Sequence, residues 1–143
     1  MSLEDNKALV RRLNHEAFDE GDMTAPERYL ARDFLNHVSG KRGIEDFQRI
    51  IRLVRNAFPD GKTTVDLEVA EGDLVMQVMT STGTHLGVFG MPWGTIPPTG
   101  KRVSWQSVRI YRVVDGQIAE HWAIRDDLTL LMQLGLHLAQ TQE

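Results

Sequence analysis

Apolar positions up to Pro59 recur at helical spacing. Ser2 with Asp5 resembles a capping pair ahead of a first helix, which Gly21 ends. The segment Thr24-Ala25-Pro26-Glu27 predicts a short second helix, and Pro59-Asp60-Gly61 ends a third. The apolar positions of the three helices are, in chain order, Leu9, Val10, Leu13, Ala17 and Phe18; Tyr29 and Leu30; and Ile44, Phe47, Ile50, Ile51, Val54 and Phe58.

Beyond Gly61 the period changes from that of a helix to that of a strand. Apolar and polar residues alternate over 65–69, residues 71–73 form a turn signal, and a second strand is predicted over 74–82. The segment 83–100 is rich in glycine and proline, so we expect a loop there. Its glycines lack the spacing of a dinucleotide-binding loop, and no helix follows them.

The last third of the chain predicts a hairpin that leads into a helix over 128–138. Asp115-Gly116 is typical of a two-residue turn, which pairs Val114 with Gln117. With unbroken alternation, Trp105 then lies opposite Asp126. One face of this hairpin carries Val103, Trp105, Ser107, Arg109, Tyr111, Val113, Ile118, Glu120, Trp122, Ile124 and Asp126.

Helices followed by an antiparallel meander indicate an α+β fold, in which the N-terminal helices cover one face of a curved sheet and a C-terminal helix completes the domain. The 143 residues suit a single domain over 1–143. A net charge of -4 argues against nucleic acid as a partner. Neither a signal segment nor an apolar run of bilayer length is evident, so we expect a cytoplasmic protein that does not enter membranes.

The chemistry available to the chain is limited by what it lacks. It contains no cysteine, and its five histidines do not have the spacing of a metal motif, so neither a thiol nucleophile nor a metal site is expected. Asp126, placed at the end of an apolar face beside Trp105, is a candidate desolvated acid or base. An equally good interpretation is that Asp126 caps the helix that begins at about Leu128.

A series of short motifs, in order along nearly the whole chain, resembles the SnoaL-like polyketide cyclases. The resemblance implies the cone-shaped α+β fold of the nuclear transport factor 2 superfamily. The motifs are Asn6-Lys7-Ala8-Leu9-Val10-Arg11-Arg12, Gly21-Asp22, Phe34 to His37, Ala57-Phe58-Pro59-Asp60, Gly83-Thr84-His85, Ile96-Pro97-Pro98-Thr99-Gly100-Lys101, Asp115-Gly116-Gln117-Ile118, Glu120-His121-Trp122 and Leu131-Met132-Gln133-Leu134-Gly135.

The resemblance implies an intramolecular aldol condensation that closes a ring of an aromatic polyketide, with no metal and no organic cofactor. Asp126 matches the family's acid–base aspartate, four residues after Trp122. Trp105 and Ser107 stand where well-known members present polar partners such as Gln and His. The segment 91–95 looks like an insertion that lengthens a flap and favours a different ligand.

Other side chains are candidates for the same pocket. His37 and His85 are predicted at its open end, where each could orient a carbonyl by donating a hydrogen bond. Arg109 could pair with Glu120 or bind an acidic group of the substrate. The remaining candidates for substrate binding are Asn36, Phe34, Trp105, Ser107, Trp122 and Phe89.

His121 is predicted on the opposite, outer face of the sheet, which we expect to form a homodimer interface. Three functions remain open at this stage. The first is a polyketide cyclase acting on a hydrophobic carbonyl substrate. The second is other cofactor-free chemistry in the same pocket, by a hydroxylase component, an isomerase or an epoxide hydrolase. The third is a non-catalytic, dimeric ligand-binding module, in which Asp126 serves only as a helix cap.

Overall fold

The computed structural model describes residues 2–136 and 139–140. Its helices and strands confirm the α+β architecture, with a curved sheet, N-terminal helices and a C-terminal helix. The elements are α1 (Leu3–Leu13), α2 (Ala25–Tyr29), β1 (Leu30–Asn36), β2 (Lys41–Arg42), α3 (Ile44–Ala57), β3 (Lys62–Glu71), β4 (Leu74–Thr84), β5 (Phe89–Met91), β6 (Gly94–Ile96), β7 (Arg102–Val114), β8 (Gln117–Arg125) and α4 (Asp127–Gln133).

The first helix begins with the predicted capping box and continues as a π-helix over Asn14–Asp19. Such widened turns are rare and often occur at functional sites. The chain then reverses at Gly21, which has a φ of 75°. A positive φ of this kind strains residues with a side chain, so the backbone angle favours glycine here.

The large sheet has the strand order β2-β1-β8-β7-β4-β3. The β3–β4, β4–β7 and β7–β8 pairs form the antiparallel meander that the alternation predicted. β1 was not predicted as a strand, and it lies between β2 and β8, parallel to β8. This pairing brings Asn36 beside His121.

The segment 83–100 differs from the loop that was predicted, because β5 and β6 form a small separate hairpin within it. Trp93 lies at its tip with 64% of its surface exposed. Inward-facing residues of the hairpin, Phe89 and Ile96, pack against Phe58 and Trp105. The hairpin is therefore anchored by its base and presents its tip to solvent.

Two apolar clusters fill the space between the helices and the inner face of the sheet. One lies between α1, α3 and the middle of the sheet, and the other lies under α4 and the β5–β6 hairpin. α4 ends at Gln133, before Gly135 with a φ of 91°, so the helix is shorter than predicted; Leu138 lies outside the described residues. No helix among the described residues is long and apolar enough to span a membrane.

Candidate active site

The β7–β8 hairpin contains a bulge that changes which side chains reach the inner face of the sheet. Asp115 and Gly116 form the predicted turn, with φ angles of 50° and 76°, and Val114 pairs with Gln117 as expected. Val113 then pairs with Ile118, but Arg112 pairs with Glu120, which leaves Ala119 as an extra residue in β8. The register predicted beyond Ala119 is therefore wrong by one residue.

A one-residue shift sends every following side chain to the opposite face. His121, Ala123 and Arg125 face inward, whereas the predicted inward residues Trp122 and Ile124 face outward. The physical reason lies in Glu120 and Arg112. An unbroken register would bury the Glu120 carboxylate, but the bulge turns it outward, where it pairs with Arg112 and hydrogen-bonds to His37. The hydrogen bond with His37, followed by that with Arg112, lowers the pKa of Glu120.

A cavity of about 260 Å³ lies between the inner face of the sheet, α3 and the π-helix. Its walls include aromatic and aliphatic side chains, and its polar side chains come from all the long strands of the sheet, from α3 and from the start of α4. Four of the predicted substrate-binding residues line it, namely Asn36, Trp105, Ser107 and Arg109. Residues that were not predicted also line it, among them Phe18, Phe47, Phe58, His121, Arg125 and Asp127.

His121 lies at the inner end of this cavity with only 5% of its surface exposed. Its Nδ1 is 3.1 Å from Asn36 Oδ1, which also accepts a hydrogen bond from the Val38 amide. Asn36 Oδ1 is thus an acceptor, so the proton of a neutral His121 is on Nδ1. Burial, and secondarily the charges of Arg109 and His37, lower the pKa of His121 to about 3. Its buried Nε2 carries no proton in this neutral form, so it is a hydrogen-bond acceptor, and it has no hydrogen-bond partner among the described residues.

Ser107 is a second inner-face residue whose polar atom has no protein partner. It is 6% exposed, and its hydroxyl makes no hydrogen bond with the described residues. Buried polar groups are normally hydrogen-bonded, so unsatisfied atoms of this kind call for an explanation. Ser107 and His121 both line the cavity, which makes a polar ligand the natural partner for both.

The carboxylate in the cavity belongs to Asp127, which forms an ion pair with Arg125. Asp126, the residue predicted for this position, is exposed and lies beside Gln106, because its amide donates to the Gln106 carbonyl. The Asp126 carboxylate accepts hydrogen bonds from the Thr129 amide at 3.1 Å and the Thr129 hydroxyl at 2.7 Å. The hydrogen bond from the Thr129 hydroxyl, followed by that from its amide, lowers the pKa of Asp126. The same bonds make Asp126 the N-cap of α4.

His37 and Trp122 were predicted in the pocket, but the structure places them on the outer face. Their rings stack at 4.3 Å with an interplanar angle of 5°. His37 Nε2 lies 3.1 Å from Glu120 Oε1. Because the bulge turns Trp122 outward and His37 follows it, neither side chain lines the inner cavity.

Phe34, Phe89 and His85 are core residues rather than cavity residues. Phe34 is fully buried and packs edge-on against Phe47 at 5.3 Å. His85 is also fully buried, 5.5 Å from the Phe58 ring, and its Nδ1 accepts a hydrogen bond of 3.2 Å from the Thr99 amide. Burial lowers the pKa of His85. His37 and His85, both predicted at the open end of the pocket, therefore lie outside the cavity.

Arg109 does not form the predicted pair with Glu120, because these side chains lie on opposite faces of the hairpin. Its guanidinium lies 4.4 Å from the centre of the Phe18 ring and donates a hydrogen bond of 3.3 Å to Asn14 Oδ1. It therefore reaches the cavity, and binding to a substrate group is the interpretation that the geometry leaves open.

The sequence contained one signal for the missed residues. The predicted register would bury the charge of Glu120 and place the neighbouring His121 on the outer face. A bulge before Glu120 reverses both placements.

Residues 2–136 and 139–140 hold no group of three or more metal-ligating side chains close enough to bind a metal ion. The absence of a metal or cofactor from the reaction stays a prediction.

Comparison with known proteins identifies the family. The family model described as "SnoaL-like polyketide cyclase" matches residues 8–134. Nogalonic acid methyl ester cyclase of Streptomyces nogalater is 30% identical over 125 residues, which cover 83% of this chain and 90% of the relative. Aklanonic acid methyl ester cyclase of Streptomyces peucetius is 31% identical over 134 residues, which cover 89% of this chain and 88% of the relative.

A solved structure of similar shape is AclR of Streptomyces galilaeus, described as a candidate hydroxylase. It superposes with a TM-score of 0.80 at 30% identity, covering 94% of this chain and 83% of AclR. The family match, the two related cyclases and the shared fold agree over nearly the same residues. This chain belongs to the SnoaL-like polyketide cyclase family.

Proposed function

We propose that this protein is a polyketide cyclase that catalyses an intramolecular aldol condensation on a hydrophobic carbonyl substrate, with Asp127 as its acid and base. The observation that carries the proposal is that Asp127, rather than Asp126, enters the aromatic-lined cavity. A carboxylate in such a site can accept a proton from a carbon next to a carbonyl group.

The proposed reaction needs one proton to leave and one to return. The Asp127 carboxylate removes a proton from the carbon beside one carbonyl of the substrate, which gives an enolate. The enolate carbon then forms a bond to a second carbonyl carbon of the same molecule, whose π electrons move to its oxygen. The protonated Asp127 returns the proton to this alkoxide, so the product is a cyclic hydroxyketone with the formula of the substrate.

The cavity supplies groups suited to each stage of this reaction. Trp105, Phe18 and Phe58 provide flat apolar walls for an aromatic substrate. Ser107 has a free hydroxyl that can donate a hydrogen bond to a developing oxyanion. His121 Nε2, which lacks a proton, can only accept a hydrogen bond there, so it suits a hydroxyl group of the substrate.

Asp127→Asn and Asp126→Asn form a matched pair for testing this proposal. With nogalonic and aklanonic acid methyl esters as trial substrates, we expect Asp127→Asn to lower kcat about 10²- to 10⁴-fold, the usual contribution of an acid–base group. We expect Asp126→Asn to retain turnover, because asparagine caps a helix about as well as aspartate does. Ring closure is measured by chromatography.

The opposite result would assign the acid–base role to Asp126, as the family resemblance implied. Equal turnover in both variants and the wild type would remove aspartate catalysis from the proposal. Failure of the wild-type protein to convert any methyl ester of this class would count against cyclisation itself. Circular dichroism of both variants shows that a loss of turnover is not a loss of fold.

The likeness to AclR favours hydroxylation as a second candidate function. The two reactions differ in mass balance, because aldol closure leaves the mass of the substrate unchanged and hydroxylation adds one oxygen atom. Mass spectrometry of the product therefore separates them. A protein that binds these compounds without changing them would be the non-catalytic module instead.

We also propose that two copies of the chain associate through the outer face of the sheet. Eight apolar side chains form two adjacent rows across four strands on this face, and the described helices pack against the opposite, inner face. The rows are Val69, Met76, Ile110 and Trp122, followed by Leu67, Val78, Val108 and Ile124. We call this surface the outer patch.

The composition of the outer patch suits a second copy of the same chain. Ile124 is 77% exposed and Leu67 is 59% exposed, although both lie on regular strands rather than in a loop. No charged side chain interrupts the two rows, and a groove of about 420 Å³ runs beside Trp122 and Ile124. An exposed apolar patch of this kind suits a two-fold homodimer interface.

A further inference from the structure

The charged side chains that line the inner cavity are mostly cationic, although the chain as a whole has a net charge of -4. Arg55, Lys62, Arg109 and Arg125 line it, and Asp127 is the carboxylate among the lining residues. Of these cations, Arg125 is paired with Asp127, and Arg55 donates to the carbonyls of Phe18 and Asp19 at 2.7 and 2.9 Å. A concave site with a surplus of one charge attracts ligands of the opposite charge.

Among the cations that line the cavity, Arg109 has the surroundings that most clearly indicate a ligand-binding role. It is half-buried on the inner face of β7, and none of the ion pairs among the described residues includes it. Its one hydrogen bond to a described side chain is the donation to Asn14 Oδ1, which leaves most of its five N–H groups without such a partner. Removing a charge from water without a counter-charge is unfavourable.

The protein nevertheless holds this guanidinium in one place. Asn14, at the start of the π-helix, accepts hydrogen bonds from both Arg109 and the buried Tyr111 hydroxyl, and it donates to Gln77 at 2.7 Å. The ring of Phe18, also from the π-helix, covers one face of the guanidinium. The π-helix thus supplies both contacts that fix Arg109 in the cavity. An arginine whose charge is solvated at the surface does not require such contacts.

The neighbours of Arg109 complete a recognisable donor and acceptor pattern. Ser107 follows on the inner face of the same strand, roughly 7 Å away along β7 at two residues' rise. His121, on the adjacent strand, contributes Nε2 as a hydrogen-bond acceptor. Burial lowers the pKa of His121 most, and the charge of Arg109 lowers it further.

We propose that Arg109 is the anchor of an oxyanion subsite, so that the substrate of this protein carries an ionised carboxylate or phenolate with a hydroxyl group beside it. The guanidinium pairs with the oxyanion, and His121 Nε2 accepts the hydrogen bond of the adjacent hydroxyl. This inference rests on the proposed cavity as the substrate site. A carboxylate in the bound molecule would depart from the two related cyclases, whose names describe methyl esters, whereas a phenolate is compatible with a methyl ester.

Equilibrium binding of unreactive aromatic probes tests the subsite without requiring turnover. We would titrate 3-hydroxy-2-naphthoate and its methyl ester against the wild type, Arg109→Gln and Arg102→Gln, following heat by calorimetry. Arg102 is the matched control, because it lies on the same strand but is exposed and outside the cavity. We expect the wild type and Arg102→Gln to bind the acid at least about tenfold more tightly than the ester, and Arg109→Gln to lose this preference.

The methyl ester, titrated over a range of pH, distinguishes the two sources of the oxyanion. If the phenolate is the bound group, affinity for the ester rises as its phenol ionises, and Arg109→Gln abolishes the rise. Equal affinity of the wild type for acid, ester and ionised ester would overturn the subsite, and so would a preference that Arg109→Gln leaves intact. Arg109→Met, which keeps the apolar contact with Phe18, replaces Arg109→Gln if the latter does not fold.

The result of this binding test can be distinguished from the result of the turnover test of the proposed function. Loss of the acid preference would leave the turnover of the methyl esters and its dependence on Asp127 untouched. A protein that binds the acid through Arg109 but closes no ring would keep the subsite and lose the cyclase.

Discussion

The two faces of the β7–β8 hairpin are built from alternating residues of the same strands, yet they differ in kind. The inner face carries Ser107, Arg109 and His121, whose polar atoms project into a cavity with few protein partners. The outer face carries two rows of apolar side chains that include Trp122 and Ile124. Polar groups without partners suit a ligand, and exposed apolar rows suit a protein partner.

A single extra residue, Ala119, determines which side chains belong to which face. Before it, the hairpin follows the register that its turn dictates; after it, every residue of β8 is on the face opposite to that prediction. The same shift brings Asp127 rather than Asp126 into the cavity, because Trp105, the next inner residue of β7, falls level with Asp127. A bulge beside a candidate active site therefore has the role of aiming its side chains.

Insertion of one alanine between Glu120 and His121 should have the largest effect on this arrangement. If Arg112 still pairs with Glu120, the insertion shifts every later residue of β8 by one, turns Trp122 and Ile124 into the cavity and places His121 outside. We expect the free energy of unfolding to fall by about 4 kcal/mol or more, which is exceptional for a change at one position. Urea unfolding measures this loss. Deletion of Ala119 is the control and should cost less, because it removes the bulge but leaves the Arg112–Glu120 pair and all later pairs with their partners. An insertion variant as stable as the wild type would contradict the role of the register.

A charge on the outer patch should affect association rather than folding. Ile124→Glu places two carboxylates in a two-fold interface, where like charges cost several kcal/mol. We expect the dimer Kd to rise about 100-fold or more in sedimentation experiments. Leu53→Glu alters an exposed apolar residue of α3 away from the patch and should leave the Kd unchanged. If wild-type protein sediments as a monomer at high concentration, the outer patch is not a homodimer interface.

The low pKa of His121 predicts acid sensitivity. Its pKa is about 3 in the folded protein and about 6.5 in an unfolded chain, so between these values only the unfolded state binds the proton. Its stabilising effect is fully present above about pH 6.5 and is lost as pH falls towards 3, at up to about 1.4 kcal/mol per pH unit. Urea midpoints across this range should fall less steeply in His121→Gln than in the wild type. The exposed His15→Gln is the control, and identical slopes in all three proteins would contradict the buried neutral state.

Ser107→Ala should have the smallest effect on stability. The Ser107 hydroxyl has no partner among the described residues, so its removal breaks no hydrogen bond and should change the free energy of unfolding by less than about 0.5 kcal/mol. Tyr111→Phe removes a satisfied buried hydroxyl, which donates to Asn14 at 2.9 Å, and should cost about 1 to 3 kcal/mol. If Ser107→Ala proved as destabilising as Tyr111→Phe, Ser107 would have a structural role instead of a ligand-binding one.

Local signals in the sequence predicted much of the fold. The capping box at Ser2, the apolar spacing of α3 and the Asp115-Gly116 turn are all confirmed. Each depends on residues that are neighbours in the chain, so pattern and propensity suffice to find them. β1 was missed because its partner, β8, is distant in sequence and parallel to it.

The candidate site was predictable only in part. Asn36, Trp105, Ser107 and Arg109 were named from the sequence and do line the cavity, and the three on β7 keep the alternation that the sequence predicted for that strand. His121, Arg125 and Asp127 were not, because they follow Ala119. The single domain, the homodimer and the cytoplasmic location stay predictions.

The sequence by itself determined the α+β architecture, the turn of the last hairpin and the family, since periodicity and short motifs act locally. Only the tertiary structure decided which side chains meet in the cavity. The β8 register is set by the pairing of Arg112 with Glu120 across the sheet, and by the burial of His121 against Asn36 and Tyr111. The contact between His121 and Asn36 joins residues 85 positions apart in the chain, so the alternation of β8 alone does not reveal it. The combined free energy of these contacts, rather than that alternation, placed the bulge at Ala119.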